Sequence, residues 1–145
     1  MGINKVVVER KLSKLKEFIR RIEGGEFGEE EFFENVDIQD LLVFRLMQCV
    51  EIAIDIAAHL VAAHELPMPE SAKEMFLTLG KKKILSTDVA ETMSNAVGFR
   101  NLAAHEYDEP EFNIKVVFRD YKSDILDLKR FAKEVVEVLE GEKKS

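Results

Sequence analysis

The chain has 145 residues with 21 basic and 28 acidic side chains, a formal net charge of −7. That length suits a single domain over residues 1–145, large enough to bury a core without disulfide staples. With 46% apolar and 34% charged residues it reads as soluble and globular, and the lone Cys49 excludes an internal disulfide or a multi-cysteine zinc site.

Met1–Arg10 holds no long apolar run and no small-residue cleavage site, so no signal peptide is expected. Val8, Leu12, Leu15, Ile19 and Ile22 step by four, three, four and three residues, which is one face of a helix. Residues 1–23 carry seven basic and three acidic side chains, a local cationic patch on an acidic protein. The acidic whole argues against broad coating of nucleic acid, but not against a local basic contact. Gly24-Gly25 supplies a stop, because glycine tolerates the left-handed backbone at a helix end. Residues 26–40 then carry seven acidic and no basic side chains. Within them Phe27, Phe32 and Phe33 are expected to pack down as a short helical turn.

A second long helix is predicted from about Ile38 to Glu65, with Asp37 as N-cap and Pro67 and Pro69 forbidding continuation. Its apolar residues, among them Leu41, Leu46, Cys49, Ile56 and Leu60, cover a wide arc. Arg45, Gln48, Glu51, Asp55 and His59 fall within about 120° at 100° per residue. So wide an apolar arc has more surface to hide than one small bundle covers, which predicts a partner. The most apolar stretch, Ile52–Ala63, is broken by Asp55 and His59 and is too short to span a bilayer, so a cytoplasmic protein without a membrane span is expected. Ser71 and Glu74 form a capping box for a short helix ending near Gly80. Lys81, Lys82 and Lys83 make a second basic knot. Ser86 or Thr87 caps a helix with Val89, Met93, Ala96 and Val97 inward, which carries into Arg100–His105. Pro110 bounds the next segment. A last helix is predicted from about Asn113 to Glu140, with Val117, Tyr121, Ile125, Leu128, Val135 and Leu139 on one side, before a frayed tail at Gly141–Ser145. The fold class is all-α, an antiparallel bundle of four to five helices that dimerises through its long helices.

The segment Gly98-Phe99-Arg100-Asn101-Leu102-Ala103-Ala104-His105-Glu106-Tyr107-Asp108 concentrates the reactive side chains. Arginine offers a rigid, permanently charged fork for phosphate oxygens. Histidine titrates near neutral pH and serves as general acid or base. Tyrosine can hydrogen-bond or stack on a base. The set suits phosphodiester cleavage, and no cofactor or metal is expected. Ala103 and Ala104 leave room beside the polar groups. On a continuous helix Arg100 and Tyr107 lie within about 20° of each other, while His105 lies about 140° from Arg100 and about 40° from Asn101. Either the helix changes near His105, or the site draws groups from two chains. Asp55 and His59 sit four apart on the polar stripe with Glu51 one turn earlier. Three such side chains in a row cannot surround a metal ion, whereas Asp55 could orient Arg100 or His105 across a cleft. His64 near the helix end complements the helix dipole, and Cys49 is a small core residue.

Val97-Gly98-Phe99-Arg100-Asn101, followed by His105-Glu106-Tyr107-Asp108, resembles the R-x-x-x-x-H-x-Y signature of the HepT-like branch of the HEPN superfamily. Those proteins are small helical ribonuclease toxins paired with an MntA-type nucleotidyltransferase antitoxin. Cys49–His59, Leu66–Phe76 and Ile84–Ala96 follow the same family pattern, so the likeness covers roughly residues 5–140. The resemblance implies Arg100 and His105 as the catalytic pair, with Asn101 a neighbouring polar support. It implies Tyr107 as the site to which the nucleotidyltransferase adds AMP. It also implies a homodimer whose two motifs face a shared cleft. Ala103-Ala104 departs from the larger apolar residues common there.

A histidine acting without metal would promote attack of a ribose 2′-hydroxyl on the adjacent phosphate, leaving a 2′,3′-cyclic phosphate, with Arg100 stabilising the developing charge. The alternative is a non-catalytic helical dimer that binds a nucleotide or docks a nucleotidyltransferase. A plain structural bundle would scatter Arg100, His105 and Tyr107 over its surface.

Overall fold

The computed structural model describes residues 2–25 and 27–144, with side chains through Gly141. Among the described residues all regular structure is helical. The six helices are α1 (Lys5–Glu23), α2 (Glu29–Glu34), α3 (Val36–Ala63), α4 (Ala72–Lys81), α5 (Thr87–Glu106) and α6 (Ile114–Lys144). The count exceeds the expected four to five because the acidic segment closes into a helix of its own.

Asn4 caps α1 by accepting from the Val7 N–H at 3.3 Å, and the five apolar residues of its predicted stripe are all buried. The helix stops at the glycine pair, but not for the expected reason. Gly24 keeps a right-handed φ of −76°, and no described glycine has a positive φ. What Gly25 supplies is space: a Cβ there would stand 2.9 Å from the Phe27 ring. That ring begins an aromatic chain. Phe32 of α2 is fully buried, edge-on to Phe27 at 6.2 Å and to Phe33 at 5.2 Å, and 4.7 Å from Phe118 of α6. Phe33 keeps one side open to solvent. The three glutamates opening α2 sit where a helix N-terminus favours negative charge.

The predicted length of α3 holds, while its ends shift two residues toward the N-terminus. Asn35, not Asp37, is the N-cap: its Oδ1 accepts from Asp37 N–H at 3.0 Å and Ile38 N–H at 3.3 Å. At the other end Glu65 takes a left-handed φ of 56°, and Leu66 N–H reaches back to Val61 C=O at 3.1 Å. This is a Schellman closure without glycine, made before Pro67 is reached. Lys83, at φ 58°, closes α4 in the same way, with Ile84 N–H bonded to Leu79 C=O at 3.0 Å. Ser71 caps α4 by accepting from Glu74 N–H at 3.2 Å. Ser86 caps α5, accepting from Val89 N–H at 3.2 Å, while its own N–H and hydroxyl donate to the Glu134 carboxylate at 2.7 Å each. At the far end α6 runs on to Lys144, beyond the predicted stop at Glu140; Ser145, part of the tail expected to fray, lies outside the described residues.

Cross-helix pairs fix the directions. Lys11 with Asp55, and Arg45 with the Arg21 carbonyl, set α1 antiparallel to α3. Glu51 with Arg100, and Asp40 with Tyr107, set α3 antiparallel to α5. Ser86 with Glu134, and Phe99 near Phe112, set α5 antiparallel to α6. Gly80 lets α4 and α5 close up, since a Cβ there would fall 2.6 Å from that of Ala90. The core gathers around α3, where Leu42, Leu46, Cys49, Ile56 and Leu60 meet Phe76, Met93 and Phe131. Burial pushes the Cys49 thiol up to about 12. Leu41 of the predicted apolar arc remains 40% exposed, and Phe44, which falls on the polar stripe, 54%. Among the described residues no helix is long and apolar enough to cross a membrane.

Candidate functional site

The site is built where α5 lies across α3. Arg100 and Tyr107, seven residues apart, share one face of α5. Glu51 and Asp40, eleven residues apart, share one face of α3 to within about 20°. The antiparallel crossing joins these faces twice. Arg100 Nη1 donates to Glu51 Oε1 at 2.9 Å, with the two side chains 25% and 45% exposed. Tyr107, at the C-terminal cap of α5, donates its hydroxyl to the Asp40 carboxylate. The Tyr107 ring is half-buried, edge-on to Phe112 at 5.2 Å. Burial, then the Asp40 hydrogen bond and the charges of Asp40 and Asp108, hold its phenol well above the ordinary value. Arg100 Nε is buried without a hydrogen-bond partner.

The helix does not change near His105. It continues through Glu106, so Arg100 faces α3 while His105, about 140° around, is exposed on another side together with Asn101. Of the two alternatives read from the spacing, a change of the helix near His105 does not occur. Ala103 packs into the core and Ala104 lies open beside His105, so only one of the two alanines widens the surface.

Asp55 is not Arg100's partner in this chain. It lies on the α1 side of the stripe, 3.4 Å from Lys11 Nζ, and Glu51 one turn earlier takes the guanidinium. Helix spacing places both acids on one stripe, about 40° apart; which helix crosses above each decides their partners. Among the described residues no three histidine, cysteine or acidic side chains gather as a metal site. His64 Nδ1 lies 2.8 Å from the Leu60 carbonyl, which accounts for it at the helix end.

Two residues were not singled out from the sequence. Asp40 sits at the end of the acidic run, and its signal is that it shares the helical phase of Glu51. Lys73 of α4 lies over Gly98, its Nζ 3.4 Å from where a Cβ would stand. Gly98 and His105 lie within about 20° on α5, so this ammonium joins the face bearing Asn101 and His105.

The model of a family described as "Ribonuclease HepT-like" matches residues 8–135. Similar proteins include the mRNA nuclease HepT of Shewanella oneidensis, 26% identical over 125 residues that cover 86% of this chain and 92% of the relative. The tRNA nuclease HepT of Aphanizomenon flos-aquae is 28% identical over 121 residues, 77% of each chain. A solved structure of the tri-AMPylated Shewanella oneidensis HEPN toxin in complex with an MNT antitoxin aligns with a TM-score of 0.83 at 25% identity, over 90% of this chain and 97% of that one. The Bacillus subtilis cytosolic protein of unknown function YutE shares the fold at 14% identity, with a TM-score of 0.83 over 98% of this chain and 95% of that one. With the family model spanning α1 through most of α6, and the arginine, histidine and tyrosine of the signature presented on α5 and its C-terminal cap, this chain belongs to the Ribonuclease HepT-like family.

Proposed function

We propose that this chain is a metal-independent endoribonuclease toxin working as a homodimer. Arg100 of one copy and His105 of the other act on one phosphate, and an MntA-type nucleotidyltransferase silences the site by adding AMP to Tyr107. The observation that carries the reading is the unbroken α5, which turns Arg100 and His105 apart within one chain. A twofold partner can supply the missing half of each site. The exposed Phe44, on the same face of α3 as Asp40 and Glu51, and the exposed Leu41 further round the helix are apolar surface suited to that contact. The nuclease names of the relatives and the toxin–antitoxin complex among the solved structures support the activity and the class of partner.

In this scheme His105 takes the proton of the ribose 2′-hydroxyl, and the same imidazole gives it to the leaving 5′-oxygen. Arg100, oriented by Glu51 and still 25% exposed, stabilises the charge on the phosphoryl oxygens. Asn101 about one turn from His105, and Lys73 over Gly98 about two turns away, share its side of α5 and suit the RNA backbone. Asp55 has no part in orienting Arg100 from within the chain.

The test is RNA cleavage in EDTA by wild type, Arg100→Ala and His105→Ala, with adenylylation excluded by mass. Wild type should leave 2′,3′-cyclic phosphate ends, and each variant should lose on the order of 100-fold or more in rate. Equal cutting of a 2′-deoxy substrate would defeat the mechanism. An inert, unmodified wild type would leave a non-catalytic nucleotide-binding or docking dimer, and retention of activity by both variants would show the site to be misassigned.

A further inference from the structure

We propose that Asp40 is the general base for adenylyl transfer to Tyr107. The proposal rests on the reading of Tyr107 as the AMP acceptor and adds a residue of this chain to that chemistry. Tyr107 ends α5 with its hydroxyl donating to Asp40, and Asp40 lies on the exposed face of α3, open to an approaching enzyme. The groups that face the phenol are the Asp40 carboxylate from α3, the Asp108 carboxylate from the following turn and the Phe112 ring. None of them is a cation, so none stabilises a free phenolate. Burial and the two carboxylates hold the phenol above its ordinary value, so the oxygen becomes a nucleophile only as its proton is removed. Asp40 already accepts that hydrogen bond.

The step balances with a nucleoside triphosphate as co-reactant. Tyr107 Oη forms a bond to the α-phosphorus, the bond from that phosphorus to the β-phosphate oxygen breaks, and pyrophosphate leaves. The phenolic proton passes to the Asp40 carboxylate and then to solvent. The product phosphodiester has no proton to donate, so the tie between Tyr107 and α3 is lost with modification.

The experiment incubates full-length wild type, Asp40→Asn, Asp40→Glu and Tyr107→Phe with the nucleotidyltransferase partner, ATP and magnesium across roughly pH 5–9, reading initial AMP incorporation by intact mass. The ratio of variant to wild type at each pH cancels the partner's own titrations. Asp40→Asn should be slower by about 100-fold near neutrality, the deficit shrinking as pH rises and phenolate forms unaided. Asp40→Glu should recover most of the rate, because it keeps the carboxylate. Asp40→Asn labelled within about threefold of wild type, or slowed by one constant factor at every pH, overturns the base assignment. Tyr107→Phe labelled as well as wild type overturns the acceptor reading itself, as does a wild type that takes no AMP.

Discussion

Replacing Glu51 with glutamine separates two roles that the Arg100 contact could play. The substitution keeps an oxygen acceptor 2.9 Å from Nη1 and removes the negative charge. Because the two side chains are 25% and 45% exposed, solvent screens the pair, and its net contribution to stability is about 1 kcal/mol. In a chain of this size that corresponds to a melting midpoint lowered by about 4 °C, so the variant stays folded. The kinetic effect should be larger. A guanidinium released from its charged partner loses the orientation on which charge stabilisation depends, and kcat should fall about tenfold. The bare positive charge should meanwhile attract RNA better, so KM should fall and the salt dependence of binding should steepen by about one counterion. The assay is steady-state cleavage of a fluorescent RNA in EDTA at several salt concentrations. A lower KM with unchanged kcat would refute the reasoning, because Glu51 would then only mask Arg100.

Two further outcomes rest on the fold. Phe32→Ala empties a fully buried position between α2 and α6 and should cost about 3–5 kcal/mol in denaturant unfolding; a loss below about 1 kcal/mol would show that the aromatic chain does not hold α2 in place. Asp124 lines a cleft of about 290 Å³ with Leu46, Asn95 and Phe99, where burial, then Asp120 and Asp127, raise its carboxyl to about 6. A raised carboxyl pKa means that the folded state binds the proton more tightly, so this contribution is full below the unfolded value and is lost as pH rises through about 6. Asp124→Asn should therefore raise the melting midpoint at pH 7 by on the order of 2 °C and change nothing below about pH 4. A difference that does not vary with pH would contradict the assignment.

The sequence exposes what depends on period and hides what depends on register. The stripe Val8–Ile22 and the inward residues of α6 are buried as their spacing requires. The ends of α3 shift because caps are local competitions: Asn35 reaches two backbone N–H groups, and Glu65 accepts a left-handed backbone that sequence reading assigns to glycine. The facing of Arg100 and Tyr107 is likewise periodic and legible. Their partners are not, because Glu51, Asp55 and Asp40 all lie along one stripe. Whether α1 or α5 crosses above each is set by packing elsewhere, at Gly80 against Ala90 and at Arg45 against the end of α1. Lys73 over Gly98 depends on the same α4–α5 register.

Mixing subunits tests the central claim most directly. Inactive Arg100→Ala and inactive His105→Ala proteins, unfolded together and refolded as mixed dimers, place one intact arginine and one intact histidine in opposite copies. A site shared between copies is restored once in each mixed dimer, so cleavage should return to about a quarter of wild type. Activity that stays at the level of the separate variants, with mixed dimers verified by native mass, would contradict a site divided between two copies.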